Sequence, residues 1–235
     1  PMFFLAFTIT MIVGFLSWLP ARNMKGEIRI RDGFIITVLF WLVLSTFGAL
    51  PFALSQETNL SFIDALFESI SGLTTTGATV FTNLEDLPKS ILYYRQQLQW
   101  LGGIGIVVIA VSILPMIGVG GMQIYKAETP GPIKDTKLTP RIAETANALF
   151  KIYVFLTVVC AIAYWVAGMS WFDALSHSFS TISIGGFSTY DESLGHFDNN
   201  AVLTIASIFM VVSGLNFALH YTAWHARSIK SYISD

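Results

Sequence analysis

Residues 61–81 read SFIDALFESISGLTTTGATVF, and the rest of the predicted architecture is arranged around them. A helix over residues 61–73 would be about 20 Å long at ~1.5 Å per residue, well short of a ~30 Å hydrocarbon core. The threonines and Gly77 that follow are poorly suited to continuing it, because β-branched side chains lose freedom in a helix and glycine readily adopts positive φ. The stretch therefore predicts a helix that enters a membrane and stops inside it.

Non-helical backbone at membrane depth is tolerated only where it is buried in protein or lines a water-filled cavity. A half-spanning helix followed by extended backbone carbonyls is the arrangement of a cation-selective pore loop. The pattern thus favours an ion pathway.

The same stretch occurs a second time, 109 positions later. Seven of the 21 positions are identical in the two copies: Ser61/Ser170, Asp64/Asp173, Ala65/Ala174, Leu66/Leu175, Ser69/Ser178, Ser71/Ser180 and Gly77/Gly186. In both copies a serine precedes an aspartate by three positions, which is close to a helix-capping pattern. The repeat predicts a duplicated structural unit.

Composition places the chain in the membrane. It is 54% hydrophobic and 12% charged, whereas globular proteins are about a quarter charged. Apolar segments that could cross a bilayer lie at residues 2–20, 33–54, 98–117, 142–167 and 201–221. The net charge of −2 argues against a nucleic-acid partner. Because the sequence starts at Pro1, we expect it to be part of a longer protein.

Basic residues are concentrated on one side of the predicted topology. Of 13 Lys and Arg residues, ten lie in or near three loops: Arg22, Lys25, Arg29, Arg31, Lys126, Lys134, Lys137, Arg141, Arg227 and Lys230. The positive-inside rule makes these loops cytoplasmic, so both short helices enter from outside. We predict an all-α integral membrane fold of tandem span–pore helix–filter loop–span units. The divisions are residues 1–32, 33–127 and 128–235.

Two other interpretations, an enzyme and a non-conducting scaffold subunit, have less support in the sequence. His177 follows Asp173 by one helical turn, as an acid/base pair would, but it aligns with Glu68 in the first copy, so the unit does not retain that chemistry. With no nucleophile beside a base and no cluster at metal-ligand spacing, we expect no enzyme. A non-conducting scaffold subunit is the second alternative. We further expect Glu68 to pair with Arg95 behind the first loop.

Three motifs carry a resemblance to a known family. They are Asp64 to Ser69 with Thr74 to Thr79, Trp100-Leu101-Gly102-Gly103-Ile104-Gly105-Ile106, and Ile184-Gly185-Gly186-Phe187-Ser188-Thr189. With these the chain resembles the TrkH/KtrB/HKT superfamily of potassium transporters, most closely its bacterial TrkH branch. The resemblance implies four such units with pseudo-fourfold symmetry around one pore. Two are present here, and the missing C-terminal half of the same polypeptide would supply the others.

The resemblance also assigns filter positions. They are Thr75, Thr76, Gly77, Ala78, Ile184, Gly185, Gly186 and Phe187. Their backbone carbonyls would replace the water around a dehydrated K⁺, the transported ion, and no other cofactor is implied. In plant relatives, serine at the first filter glycine is associated with sodium preference, so Gly77 indicates potassium.

The implied function is potassium uptake through a channel-like pore in a bacterial inner membrane. Implied partners are the lipid bilayer, a second copy in a homodimer, and a cytoplasmic nucleotide-binding regulatory ring that meets residues 126–141 and Arg227. The sequence does not decide between channel-like permeation and symport coupled to H⁺ or Na⁺.

Overall fold

The computed structural model describes residues 2–23, 30–117 and 142–215. Within those ranges the regular structure is helical. The α-helices are α1 Met2–Ala21, α2 Ile30–Gly48, α3 Leu50–Ala53, α4 Phe62–Leu73, α5 Lys89–Ile117, α6 Ile142–Val166, α7 Trp171–Ile182 and α8 Asn200–Gly214, with short 3₁₀ helices at Leu84–Asp86 and Ser193–Phe197. The all-α prediction is confirmed in this coarse form.

Three helical stretches are long and apolar enough to cross a membrane: Met2–Ala21, Ile35–Ala53 and Asn147–Val166. They match the predicted spans at 2–20, 33–54 and 142–167. α5 extends from Lys89 through the predicted span at 98–117, and α8 is described over 15 residues. The end of the last predicted span, residues 216–221, lies outside the described residues.

The second span contains a one-residue break near its end. α2 ends at Gly48 and α3 begins at Leu50, with Pro51 in the first turn of α3. Proline lacks an N–H and its ring crowds the carbonyl four residues earlier, which is the physical reason for the break. α2 also begins at Ile30, so the predicted division at 32/33 falls inside this helix, and the division at 127/128 lies outside the described residues.

The two short helices correspond residue for residue. α4 and α7 each have 12 residues, and both ends of α7 lie 109 positions after those of α4. The duplicated short helix expected from the sequence is therefore present.

α5 is the shared element between the two copies, because it packs against α4, α6 and α7. The first apolar core lies around Phe52, Leu73 and Ile91, and the second lies around Tyr164 and Ile182 with partners from α6 and α8. Each short helix is thus held by its own core while α5 touches both.

Candidate functional site around the two loops

Both short helices begin with the same cap. The Ser61 Oγ accepts a hydrogen bond from the Asp64 N–H at 3.2 Å and donates to the Asp64 carboxylate at 2.7 Å. Ser170 and Asp173 repeat this at 3.1 and 2.6 Å. An acid at a helix N-terminus suits the positive end of the dipole, which leaves the negative ends at Leu73 and Ile182 facing the loops that follow.

The first loop (residues 74–83) and the second loop (residues 183–192) begin with the same backbone conformation, although they differ by their ends, where φ is +54° at Asn83 and −76° at Glu192. φ is +55° at Thr75 and +54° at Ile184, and it is +78° at Gly77 and +84° at Gly186. Left-handed backbone suits glycine but costs a residue with a side chain on the order of 1–3 kcal/mol. The equivalence of a strained β-branched residue in both loops indicates that their surroundings impose this shape.

Hydrogen bonds to the helix ends also repeat. The Thr76 N–H donates to the Ser71 carbonyl at 2.9 Å, and the equivalent Gly185 N–H donates to the Ser180 carbonyl at 2.8 Å. In a trans peptide the carbonyl of the preceding residue points opposite to the N–H. The carbonyls of Thr75 and Ile184 are therefore turned away from the ends of α4 and α7.

The two loops meet at their glycines. A Cβ on Gly77 would overlap the Gly185 carbonyl oxygen, so glycine is required there for close approach as well as for its positive φ. A Cβ on Gly186 would have nothing within 4 Å among the described residues. The structure thus brings the two loops together where Gly77 meets Gly185, and it leaves space beside Gly186.

The remaining predicted site residues differ in their surroundings. Thr76 is exposed, Ile184 has 47% of its surface exposed, and Phe187 is buried. Ala78 is exposed, but its carbonyl accepts a hydrogen bond from the Ser71 hydroxyl. This contact turns the Ala78 carbonyl toward α4.

A buried ion pair lies behind the first loop, as predicted. The Arg95 Nε is 2.7 Å from the Glu68 Oε1, and both side chains are fully buried. The Glu68 carboxylate also accepts hydrogen bonds from the Thr79 hydroxyl at 2.9 and 3.0 Å and from the Val80 N–H at 3.1 Å. Glu68 therefore holds the middle of the first loop against α4.

His177 occupies the position equivalent to Glu68 and also contacts the loop that follows its helix. Its Nε2 lies 2.9 Å from the hydroxyl of Ser188, which is the equivalent of Thr79. Its Nδ1 lies 2.9 Å from the backbone carbonyl of Asp173, and since a carbonyl only accepts, Nδ1 is assigned the hydrogen. The ring is thus anchored to backbone and loop, and it is not paired with the Asp173 carboxylate.

Asp173 fastens the outer part of the second loop. Its carboxylate accepts hydrogen bonds from the Thr189 hydroxyl at 3.0 Å and the Tyr190 hydroxyl at 3.2 Å. Burial, followed by the charge of Asp173, raises the pKa of Tyr190, which keeps its phenol a donor. Within the described residues no group of three His, Cys, Asp or Glu side chains could hold a metal ion.

Three contacts between the copies were not expected from the sequence. Arg95 also donates to the Ser188 carbonyl, Gln99 accepts from the Phe187 N–H, and the Asp191 carboxylate accepts from the Asn83 and Leu84 N–H groups. The sequence feature that could have pointed to the first two contacts is the presence of Arg95 and Gln99 in an otherwise apolar helix. Burying a polar side chain in a membrane costs free energy, so such residues usually mark functional positions.

Comparison with known proteins identifies the family. The chain matches the family described as "TrkH: Cation transport protein" over residues 1–234. It is 59% identical over 233 residues to the Trk system potassium uptake protein TrkH of Halomonas elongata, covering 99% of this chain and 48% of that protein. It is 46% identical over 233 residues to the Trk system potassium uptake protein TrkG of Escherichia coli K12, with the same coverage of each.

A solved structure agrees. The crystal structure of the potassium transporter TrkH from Vibrio parahaemolyticus matches with a TM-score of 0.84 and 50% sequence identity, covering 100% of this chain and 47% of that one. The chain spans about half the length of the relatives it matches. With the apolar helices, the match confirms the predicted multi-pass protein of the bacterial inner membrane. The chain belongs to the TrkH family, a family of cation transport proteins and not of enzymes.

Proposed function

We propose that this chain is half of a potassium uptake protein in which K⁺ crosses the inner membrane through a channel-like pore. The relatives' names state potassium uptake, and the loops supply chemistry that fits it. The ion would be held by backbone carbonyls of the first and second loops, the filter loops of this proposal.

The repeated loop conformation is the observation that carries the proposal. The sign of φ alternates along Thr75, Thr76 and Gly77, and along Ile184, Gly185 and Gly186. Alternating conformations of this kind gather successive N–H groups on one side of the backbone and leave the carbonyls for the other side. Carbonyls gathered in this way can replace the hydration shell of K⁺.

Hydrogen bonds of the loop N–H groups indicate the direction in which the loop carbonyls point. The N–H groups of Thr76, Gly185 and Phe187 are all bonded to protein. The carbonyls that precede them, on Thr75, Ile184 and Gly186, therefore point away from the protein wall. These three carbonyls are the best-supported ligands, and Gly77 belongs to the same proposed filter because its lack of a Cβ lets the two loops approach. The Ala78 carbonyl, bonded to Ser71, has a structural role in this proposal.

Electrostatics favours a cation at the same place. α4 and α7 both end at the loops, so their negative dipole ends lie next to the proposed ion path. Outside it, Asp191, Glu192 and Asp198 are exposed acids that would concentrate cations at the entrance. Residues 183–199 contain no lysine or arginine.

A complete pore needs further units, which the proposal places in the rest of the polypeptide. The chain covers 48% of its relative from Halomonas elongata. Gly77 meets the second loop whereas Gly186 has open space, so a third unit would sit against Gly186 as the second sits against Gly77. The homodimer and the regulatory ring remain predictions, and the ring's expected contacts at residues 126–141 and Arg227 lie outside the described residues.

The test is tracer flux into liposomes that carry the intact polypeptide containing this chain. We expect Rb⁺ uptake to exceed Na⁺ uptake, and Gly77→Ser to abolish the preference, because the serine Cβ would displace the Gly185 carbonyl. Gly168→Ser is the matched control: Gly168 also has positive φ, at +105°, but a Cβ there meets nothing within 4 Å.

The outcomes separate the alternatives. Absence of cation flux in the intact protein would favour the alternative that the protein is a non-conducting scaffold subunit. A Gly77→Ser protein as selective as the parent, or a Gly168→Ser protein as unselective as Gly77→Ser, would remove Gly77 from the filter. Rb⁺ uptake that stops when the H⁺ and Na⁺ gradients are both abolished, with the K⁺ gradient kept, would replace the channel with a symporter.

A further inference from the structure

One face of α5 contacts both loops. Arg95, Gln99 and the pair Gly102 and Gly103 follow one another at intervals of three or four residues, so they share this face. A Cβ on Gly102 would overlap the Leu73 carbonyl at the end of α4, and one on Gly103 would crowd Ser183 at the end of α7. The two glycines let α5 lie close to the ends of both short helices.

Arg95 joins the first unit to the second loop. Its Nε holds Glu68, its Nη2 donates to the Thr79 hydroxyl at 3.0 Å, and its Nη1 donates to the Ser188 carbonyl at 3.0 Å. The guanidinium also lies 4.4 Å from the centre of the Phe187 ring. The planar guanidinium presents its donors in a rigid fork that reaches these acceptors at once, whereas a lysine ammonium carries its three donors on a single nitrogen and cannot reproduce that geometry.

Gln99 holds the next residue of the second loop. Its Oε1 accepts from the Phe187 N–H at 3.0 Å. The peptide is trans, so this bond aims the Gly186 carbonyl to the side opposite Gln99, and Gly186 itself is exposed. A Cβ on Gly185 would overlap the Gln99 side chain, which shows how closely the amide lies against the loop.

We propose that Arg95 and Gln99 are positioning residues that set ion selectivity by holding the second filter loop from the neighbouring unit. The inference rests on the proposed function, since it assigns them to the same filter. Arg95 fixes the Ser188 carbonyl and Gln99 fixes the adjoining Phe187 N–H, so two consecutive residues of the loop are clamped by α5. Neither side chain contacts the ion.

The clamp matters because α7 holds the N–H groups of Ile184 and Gly185 and the hydroxyl of Ser188, whereas α5 holds the Phe187 N–H and the Ser188 carbonyl between them. Among the described residues, Phe187 N–H and Ser188 carbonyl are bonded to α5, while Ile184 and Gly186 are exposed. A loop released from α5 could turn its Gly186 peptide or hold its carbonyls at other spacings. Selectivity would then fall while permeation continued, since a looser filter accommodates the smaller Na⁺.

The test uses matched variants of the intact polypeptide in the Rb⁺ and Na⁺ flux assay. Gln99→Met removes the acceptor for Phe187. Gln96→Met is its control, because Gln96 is equally buried on the same helix and its amide has no hydrogen-bond partner among the described residues. Arg95→Lys keeps the charge for Glu68 but lacks the fork, and Lys89→Gln, at an exposed position of α5, controls for changing a cation.

We expect Gln99→Met and Arg95→Lys each to lower the Rb⁺-over-Na⁺ flux ratio by about five- to tenfold, the effect of one ordinary hydrogen bond. Gln96→Met and Lys89→Gln should keep the parent ratio. Size-exclusion profiles and thermal unfolding identify any variant that fails to fold, and Gln99→Asn, which keeps the amide but shortens its reach, then replaces Gln99→Met.

Different results overturn different claims. If Gly77→Ser loses selectivity while folded Gln99 and Arg95 variants retain the parent ratio, the positioning role is wrong and the filter stands. The positioning role is also wrong if Gln96→Met lowers the ratio as much as Gln99→Met. If Gly77→Ser leaves the ratio unchanged, the proposed filter fails and the clamp fails with it.

Discussion

Removing the negative charge of Glu68 should weaken the protein through the arginine it leaves behind. Arg95 is fully buried and its Nε lies 2.7 Å from the Glu68 Oε1. Breaking a buried ion pair by changing one partner costs about 3–5 kcal/mol, because the remaining charge is uncompensated. For Glu68→Gln we expect the lower end, about 3 kcal/mol, since the amide oxygen can still accept from Arg95 or from the Val80 N–H.

The assay is the free energy of unfolding of the intact polypeptide in mixed micelles, measured by denaturant titration. Glu85→Gln is the control; Glu85 is exposed, and such a change is expected to stay within about 0.5 kcal/mol. The double variant Glu68→Gln with Arg95→Gln should be more stable than the sum of the single effects by about 1–3 kcal/mol, because the pair is coupled.

A Glu68→Gln protein whose unfolding free energy equals that of Glu85→Gln would show that the buried pair does not stabilise the fold. Additive single effects in the double variant would equally show that the two side chains do not stabilise each other.

Three further predictions follow from the loop contacts. Gly102→Ala should lower the free energy of unfolding by about 1–3 kcal/mol through overpacking, because the new Cβ would overlap the Leu73 carbonyl. Gly195→Ala is the control, since a Cβ there meets nothing within 4 Å. Equal thermal stability of the two variants would contradict this packing. His177→Phe should cost about 1–3 kcal/mol by leaving the buried Ser188 hydroxyl without its acceptor, and His196→Phe, at an exposed position, is its control. In the intact polypeptide, Gly186→Ala should lower thermal stability as much as Gly77→Ala does, because a third unit would pack against Gly186. A much smaller loss of thermal stability for Gly186→Ala would argue against a third unit at that position.

Local and periodic signals made the short helices predictable. Ser61 with Asp64, repeated as Ser170 with Asp173, marked both N-termini, and the threonines and glycine after residue 73 marked the first C-terminus. These signals act over a few residues, so no knowledge of the tertiary packing was needed. The pairing of Glu68 with Arg95 could be predicted because each is a charge with no local partner in an apolar setting.

Contacts between the copies could not be predicted in the same way. Gln99 and Phe187 are 88 positions apart, and Arg95 and Ser188 are 93 apart. Their meeting depends on how α5 packs between α4 and α7, which no local pattern encodes. The sequence could show that Gln99 is a polar residue in a span, but not that it faces a loop of the other copy.

The carbonyl of Ala78 illustrates a second limit. Motif resemblance carries a residue to a position but not the direction of its peptide. Ser71, seven residues earlier, decides that direction by donating to the Ala78 oxygen. Backbone orientation within a loop depends on such side-chain contacts, so only the structure could separate Ala78 from Thr75.

Locating the bound ion would show whether carbonyls of the two loops hold it. Crystals of the intact polypeptide grown with Rb⁺ or Tl⁺ in place of K⁺ would show its position by anomalous scattering. We predict a peak between the first and second loops, next to the carbonyl oxygens of Thr75, Ile184 and Gly186, that weakens in Gly77→Ser. A peak placed away from both loops, or loop carbonyls turned away from it, would mean that these carbonyls do not hold the ion.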